Sequence, residues 1–134
     1  MFRRFILISL LFWTFSSFGN DKRSINNYEW AYRLLLINSI DKKTTRLDQL
    51  LENKNTLCQF KDRKLKLIKF NNNESSTYIT PSYIKNKFGV WLIGYDGGVK
   101  YFTSIEEFNF DDIFKLIDGM PMRKNEMEVN KSDC

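Results

Sequence analysis

Asp96-Gly97-Gly98 stands between two short apolar runs, Val90-Trp91-Leu92-Ile93-Gly94-Tyr95 and Val99-Lys100-Tyr101-Phe102-Thr103. An Asp-Gly pair in that setting is a strong hairpin signal, because a two-residue type I′ turn needs positive φ at both central positions. The two runs are therefore expected as antiparallel neighbours in one sheet. After them, Phe110, Ile113, Phe114 and Ile117 recur at i, i+3, i+4 and i+7, the apolar face of a helix packed on that sheet. Ser104 or Asn109 is the expected cap, and Gly119 and Pro121 the expected stop.

The upstream half supplies the rest of the sheet. Arg33-Leu34-Leu35-Leu36-Ile37-Asn38 is a continuous apolar run with polar ends. Continuity without alternation points to a central strand buried on both faces. A polar stretch follows, in which Asp41 or Thr44 is placed to cap a helix. Leu47, Leu50, Leu51, Leu57 and Phe60 predict that helix over 44–60, with a break near 53–55 where Asn53 and Asn55 weaken it. Residues 65–70 read as a second strand, ended by three asparagines. Pro81 is placed to open a short helix over 82–87, with Gly89 as its left-handed C-cap.

A crossover helix makes the first two strands parallel, and a tight turn makes the last two antiparallel. The expected fold is α/β and thioredoxin-like: a mixed four-stranded sheet, βαβ then ββα, with helices on both faces.

The amino terminus carries a different signal. Arg3 and Arg4 precede an apolar run over 5–15, broken only by Ser9 and Thr14, and Ser17-Phe18-Gly19 offers small residues at a cleavage site. This predicts a signal peptide over 1–19, since a membrane span needs about 20 apolar residues. The expected organisation continues with a flexible polar leader over 20–27, one domain over 28–127 and a polar tail over 128–134. Cleavage removes Arg3 and Arg4 and no acid, so the net charge falls from +5 to +3. That excess is too small to argue for nucleic acid. The expected location is periplasmic or extracellular, without stable membrane insertion after cleavage.

Leu92-Ile93-Gly94-Tyr95-Asp96-Gly97-Gly98-Val99-Lys100, then Leu116-Ile117-Asp118-Gly119-Met120-Pro121-Met122-Arg123 with Glu126-Met127, closely resemble the end of the DUF4174 family. Residues 30–37, a Trp and an Arg before an apolar run, resemble its first strand. The resemblance covers about 30–127. The family is a domain of unknown function found in exported bacterial proteins and in extracellular vertebrate proteins with sushi repeats or coiled coils. It implies a thioredoxin-like fold, export and no established activity.

The residues argue against the commonest chemistry of that fold. A redox thioredoxin needs Cys-x-x-Cys at the end of the first strand, where a helix amino terminus lowers the thiol pKa. Asn38-Ser39-Ile40-Asp41-Lys42 stands there instead, and Gly89-Val90-Trp91 stands where a proline precedes the third strand. The chain has no histidine, the usual general base and metal ligand. Cys58, late in the first helix, is either a buried structural thiol or the partner of Cys134 in a disulfide.

Other patterns are weak. Ser39-Ile40-Asp41-Lys42 and Ser82-Tyr83-Ile84-Lys85 both match Ser-x-x-Lys, without the companion motifs of acyl-enzyme hydrolases. Met120 and Met122 offer soft thioethers for Cu(I), but no Cys or His joins them, and packing beside Pro121 explains them. Glu106-Glu107 and Asp111-Asp112 suit a helix start.

The expectation is a non-catalytic binding module for a protein or envelope partner, with no cofactor. Its binding face is guessed from the fold at Ser39, Asp41, Lys42 and Gly89. The competing expectation is a single-cysteine thiol oxidoreductase or peroxidase-like enzyme using Cys58.

Overall fold

The computed structural model describes residues 19, 21–40, 45–71, 77–132 and 134. Of the expected signal peptide, only Gly19 is among the described residues.

Strand β1 (Arg33–Ser39) is the hub. All seven of its residues are buried, because it has a neighbour on each edge and cover on each face. Helices α1 (Thr45–Leu51) and α2 (Lys54–Asp62) carry the chain to β2 (Leu65–Asn71), which runs parallel to β1 with Arg33 opposite Leu65. Asn53 separates the two helices and caps the second, its side chain accepting from the Asn55 amide at 2.8 Å. β3 (Gly89–Ile93) runs antiparallel along the other edge of β1, with Leu36 opposite Trp91. β4 (Val99–Thr103) pairs antiparallel with β3. Helices α3 (Phe110–Asp118) and α4 (Pro121–Val129) follow. The fold is α/β, with an open mixed four-stranded sheet in the order β2-β1-β3-β4.

Alternation along the strands sorts two cores. Leu35, Ile37, Val90 and Leu92 meet Phe60, Ile113 and Ile117 on one face. Leu34, Leu36, Trp91 and Ile93 point to the other. Here the expectation of helices on both faces is corrected. α1, α2 and α3 all contribute to the first core, whereas the second is covered by a 3-10 turn (Ile25–Tyr28), Tyr78 and Ile84.

That cover revises three local readings. The stretch read as a flexible leader is anchored: Arg23 bridges to Tyr78, the Ser24 side chain caps the 3-10 turn, and Ile25 is buried. The short helix expected over 82–87 is a turn. The Pro81 carbonyl accepts from Ile84 and Lys85, and Asn86 then adopts φ +61 and reverses the chain. Gly89 is accordingly no C-cap but the first residue of β3, opposite Asn38. It must be glycine on space: a Cβ would lie 2.4 Å from the Phe102 ring and 2.7 Å from the Thr103 carbonyl oxygen.

The hairpin turn also differs from the type I′ expectation. Only Gly97 of the Asp96-Gly97 pair has positive φ, at +77. The Gly97 amide donates to the Gly94 carbonyl at 3.1 Å, and the Gly94 amide to the Gly98 carbonyl at 3.0 Å. The turn spans four residues, and the β3–β4 register shifts beside it between Leu92 and Ile93. The Asp96 side chain fixes it, accepting from the Gly98 amide and pairing with Lys100.

Pro121, expected as a stop, is a start. Gly119 ends α3, and Pro121 occupies the first turn of α4, where its missing amide costs nothing. The tail read as polar from 128 is helical to Val129. Among the described residues, no helix is long and apolar enough to cross a membrane.

Candidate functional site

The carboxyl end of β1 places three residues at the sheet's upper rim. Asn38 and Ser39 are buried, and Ile40 is exposed. Asn38 is fully enclosed because its amide has work inside: Nδ2 donates to the Ile84 carbonyl at 3.2 Å and the Lys87 carbonyl at 2.8 Å. These bonds clamp the 81–88 turn to the sheet and give two of its carbonyls a donor. The clamped turn presents Tyr83 and Phe88 to solvent, and Lys87 Nζ lies 3.9 Å from the centroid of the Phe102 ring. Ile40, Phe88, Ile105 and Glu106 line a small hollow of about 60 Å³. Of the four residues guessed for binding, Ser39 and Gly89 flank this clamp, one on each strand. Asp41 and Lys42 lie outside the described residues.

Cys58 sits on α2, half-buried, and is bonded to Cys134, with 5.8 Å between Cα atoms. A bonded sulfur has no thiolate to offer. Met120 packs against the helix-side core while Met122 is exposed on α4, so the two thioethers diverge. Among the described residues, no group of three His, Cys, Asp or Glu side chains is placed to hold a metal.

A larger cleft of about 750 Å³ opens between α1–α2 and the start of α3. Leu47, Phe108 and Phe114 give it an apolar floor, and Glu107 and Asp111 stand on its rim. Asn109 begins α3 there, its side chain accepting from the Asp111 amide at 2.9 Å.

The inner end of the cleft reaches a buried ionic network at the opposite, amino-terminal end of β1. Arg33 is only 1% exposed. Its Nη1 donates to the Arg63 carbonyl at 2.8 Å, the Tyr95 hydroxyl at 3.1 Å and Glu126 Oε2 at 3.1 Å. The Tyr95 hydroxyl donates to the other Glu126 oxygen, and the Arg33 guanidinium lies 4.1 Å from the centroid of the Tyr95 ring. Arg63 grips Asp118 at two points and crosses the Phe114 ring at 4.5 Å. Arg123 joins α4 to this set, donating to Asp118 Oδ1 at 3.0 Å, to the Asp62 carbonyl at 2.9 Å and to the Asp62 carboxylate. Three arginines meet three carboxylates, so the buried charge is balanced, as burial of charge requires.

The titration behaviour follows. Burial pushes the Tyr95 hydroxyl up to about 12, helped by its hydrogen bond to Glu126 and opposed by Arg33. Burial alone would raise Asp118, but the hydrogen bonds and charges of Arg63 and Arg123 outweigh it and hold the carboxyl below its ordinary value. Arg123 is held above its ordinary value: burial opposes this, and Asp62 and Asp118 prevail.

Reading the sequence missed this network. The signal for it was an arginine opening a strand buried on both faces, and Arg123 and Glu126 three apart behind a proline that begins a helix. Five of its members, Arg33, Tyr95, Asp118, Arg123 and Glu126, belong to the motifs quoted above for the resemblance. No curated protein and no solved structure matches the chain. Residues 24–126 match the family described as a domain of unknown function, DUF4174, and the chain belongs to that family.

Proposed function

We propose that this is an exported, thioredoxin-like binding module that performs no thiol redox chemistry. Parallel β1 and β2 joined by a helical crossover, β3 antiparallel between β1 and β4, and a following helix support the thioredoxin-like reading. Export is supported by the charged and apolar amino terminus and by the Cys58–Cys134 bond, which persists in oxidising compartments. The observation that carries the reading is Asn38. Where such a fold would carry a reactive thiol, a buried amide holds the 81–88 turn in place. The site is built to present a fixed surface, and the surface it presents is Ile40, Tyr83 and Phe88, which we assign to a protein partner.

The test has two arms. Purified oxidised protein is assayed for reduction of a protein disulfide and of hydrogen peroxide with a dithiol as donor. A photo-crosslinking residue at position 40 or 88, and at position 57 as control, is exposed in the intact cell. The expected result is no turnover, with crosslinked protein adducts at 40 and 88 but not at 57. Turnover abolished by Cys58→Ser would overturn the reading in favour of the thiol enzyme, and equal labelling at all three positions would overturn the assigned surface.

A further inference from the structure

Glu126 occupies its place in the way a ligand would. One carboxylate oxygen accepts from Arg33 Nη1 at 3.1 Å, the other from the Tyr95 hydroxyl, and Arg123 Nη1 approaches to 3.8 Å. Yet the fit is incomplete. Arg33 Nη2 is buried and has no acceptor among the described residues. A carboxylate free of the helix backbone could lie square to the guanidinium and take both Nη1 and Nη2, the two-point geometry that makes arginine–carboxylate pairs strong. A buried donor with no acceptor is costly, so that geometry is favoured.

The element that carries Glu126 is loosely held for its position. Within α4 only Arg123 is buried, while Met122, Met127 and Val129 are exposed. A helix this short is not stable alone. It is docked by polar contacts, and the segment beyond it is fastened to α2 by Cys134. The fastening is chemically reversible. A dithiol reductant passes two electrons and two protons to the Cys58–Cys134 pair, leaving two thiols, and is itself oxidised to a disulfide.

We infer that the Arg33–Tyr95 pocket is a carboxylate-binding site which the chain fills with its own Glu126, and that reduction of the Cys58–Cys134 disulfide frees it for a carboxylate on another molecule. This goes beyond the binding-module reading. It concerns the opposite end of β1, so either can fail alone.

Acetate is the probe, added to the full chain at constant ionic strength with chloride as control. In Cys134→Ser, acetate competes with Glu126, and amide exchange over 121–129 should rise at least tenfold, while the oxidised wild type stays unchanged. Independently, Glu126→Ala should be stabilised saturably by acetate, with a rise of several degrees in Tm that Tyr95→Phe in the same background diminishes. Glu126→Gln, which keeps the shape of the side chain, serves if the alanine variant does not fold. A blocked peptide carrying one glutamate is run beside acetate. Binding of both assigns the site to acidic peptides, and binding of acetate alone to small acids. If acetate moves neither exchange in Cys134→Ser nor Tm in the Glu126 variants beyond the chloride control, the pair is a structural ion pair and the inference is wrong.

Discussion

Arg63 at the end of α2 holds Asp118 at the end of α3 by two parallel hydrogen bonds, Nε to Oδ1 at 3.0 Å and Nη2 to Oδ2 at 2.7 Å. Arg123 shares the first oxygen at 3.0 Å. One carboxylate therefore joins three helices. Asp118→Asn leaves two guanidiniums short of a charge and should lower stability by about 2–3 kcal/mol, read from the urea midpoint. A folded pKa depressed below the ordinary carboxylate value contributes stability that is present above about pH 4 and lost as pH falls through the folded value. The wild-type midpoint should thus drop on acidification below pH 4 more steeply than that of Asp118→Asn.

Tyr95 gives the opposite pH signature. Its folded pKa, about 12, lies above the ordinary value of 10. The protonated ring is favoured by folding, so its contribution is complete below pH 10 and lost between pH 10 and 12. Discounted for solvent at the hydroxyl, the loss is on the order of 1 kcal/mol. Tyr95→Phe should remove this alkaline slope from the urea midpoint while lysine titration remains.

Gly89 and Gly97 should respond unequally to alanine. At 89 the new methyl meets the Phe102 ring and a backbone oxygen, and neither can step aside without moving β4. A loss of roughly 3 kcal/mol is expected, as for overpacking at a strained position. At 97 the nearest atom is the flexible end of Glu29, 2.6 Å away, and the φ of +77 sets the cost at about 1 kcal/mol. Equal losses in thermal unfolding would contradict the backbone contact at 89.

Asn38→Leu matches the volume but removes both bonds to the turn. The buried Ile84 carbonyl and the part-buried Lys87 carbonyl lose their donor, which should cost about 2 kcal/mol. The loss should be local as well as global: amide exchange should accelerate at 84–88 before it does in β1.

Disulfide loss should be felt globally. With a sequence separation of 76 between the cysteines, the chain-entropy model gives on the order of 4 kcal/mol. Denaturation with and without a dithiol measures it. A shift near zero would mean that the reduced tail stays docked through its polar contacts alone.

The sheet was legible because burial on two faces leaves an unmistakable apolar run, as in 34–37 and 90–93. The α3 face was legible for the same reason, since Phe110, Ile113 and Ile117 are buried as spaced. The network was not. An arginine is ordinarily read as surface, and Arg33 finds its carboxylate 93 positions away. Pro121 serves equally as a stop or a start, and the choice depends on whether Arg123 has an acid to meet, which is Asp62, 61 positions back. The 82–87 turn is not legible because what shapes it is the reversal at Asn86, φ +61, and the bonds from Asn38, 46 and 49 positions away, neither of which leaves a local pattern. At the candidate site the absence of a thiol could be read directly, but the amide clamp that stands in its place could not.

Helix α4 has a practical consequence for anyone shortening this chain. The family match ends at Glu126, the residue that meets Arg33. A fragment cut after Gly119, where the last apolar helix ends, would look complete by hydropathy. It would strand Arg33 in the interior without its counter-ion and open Arg63 and Asp62 to solvent. A piece that keeps this buried charge balanced must extend past the last residue that hydropathy would keep.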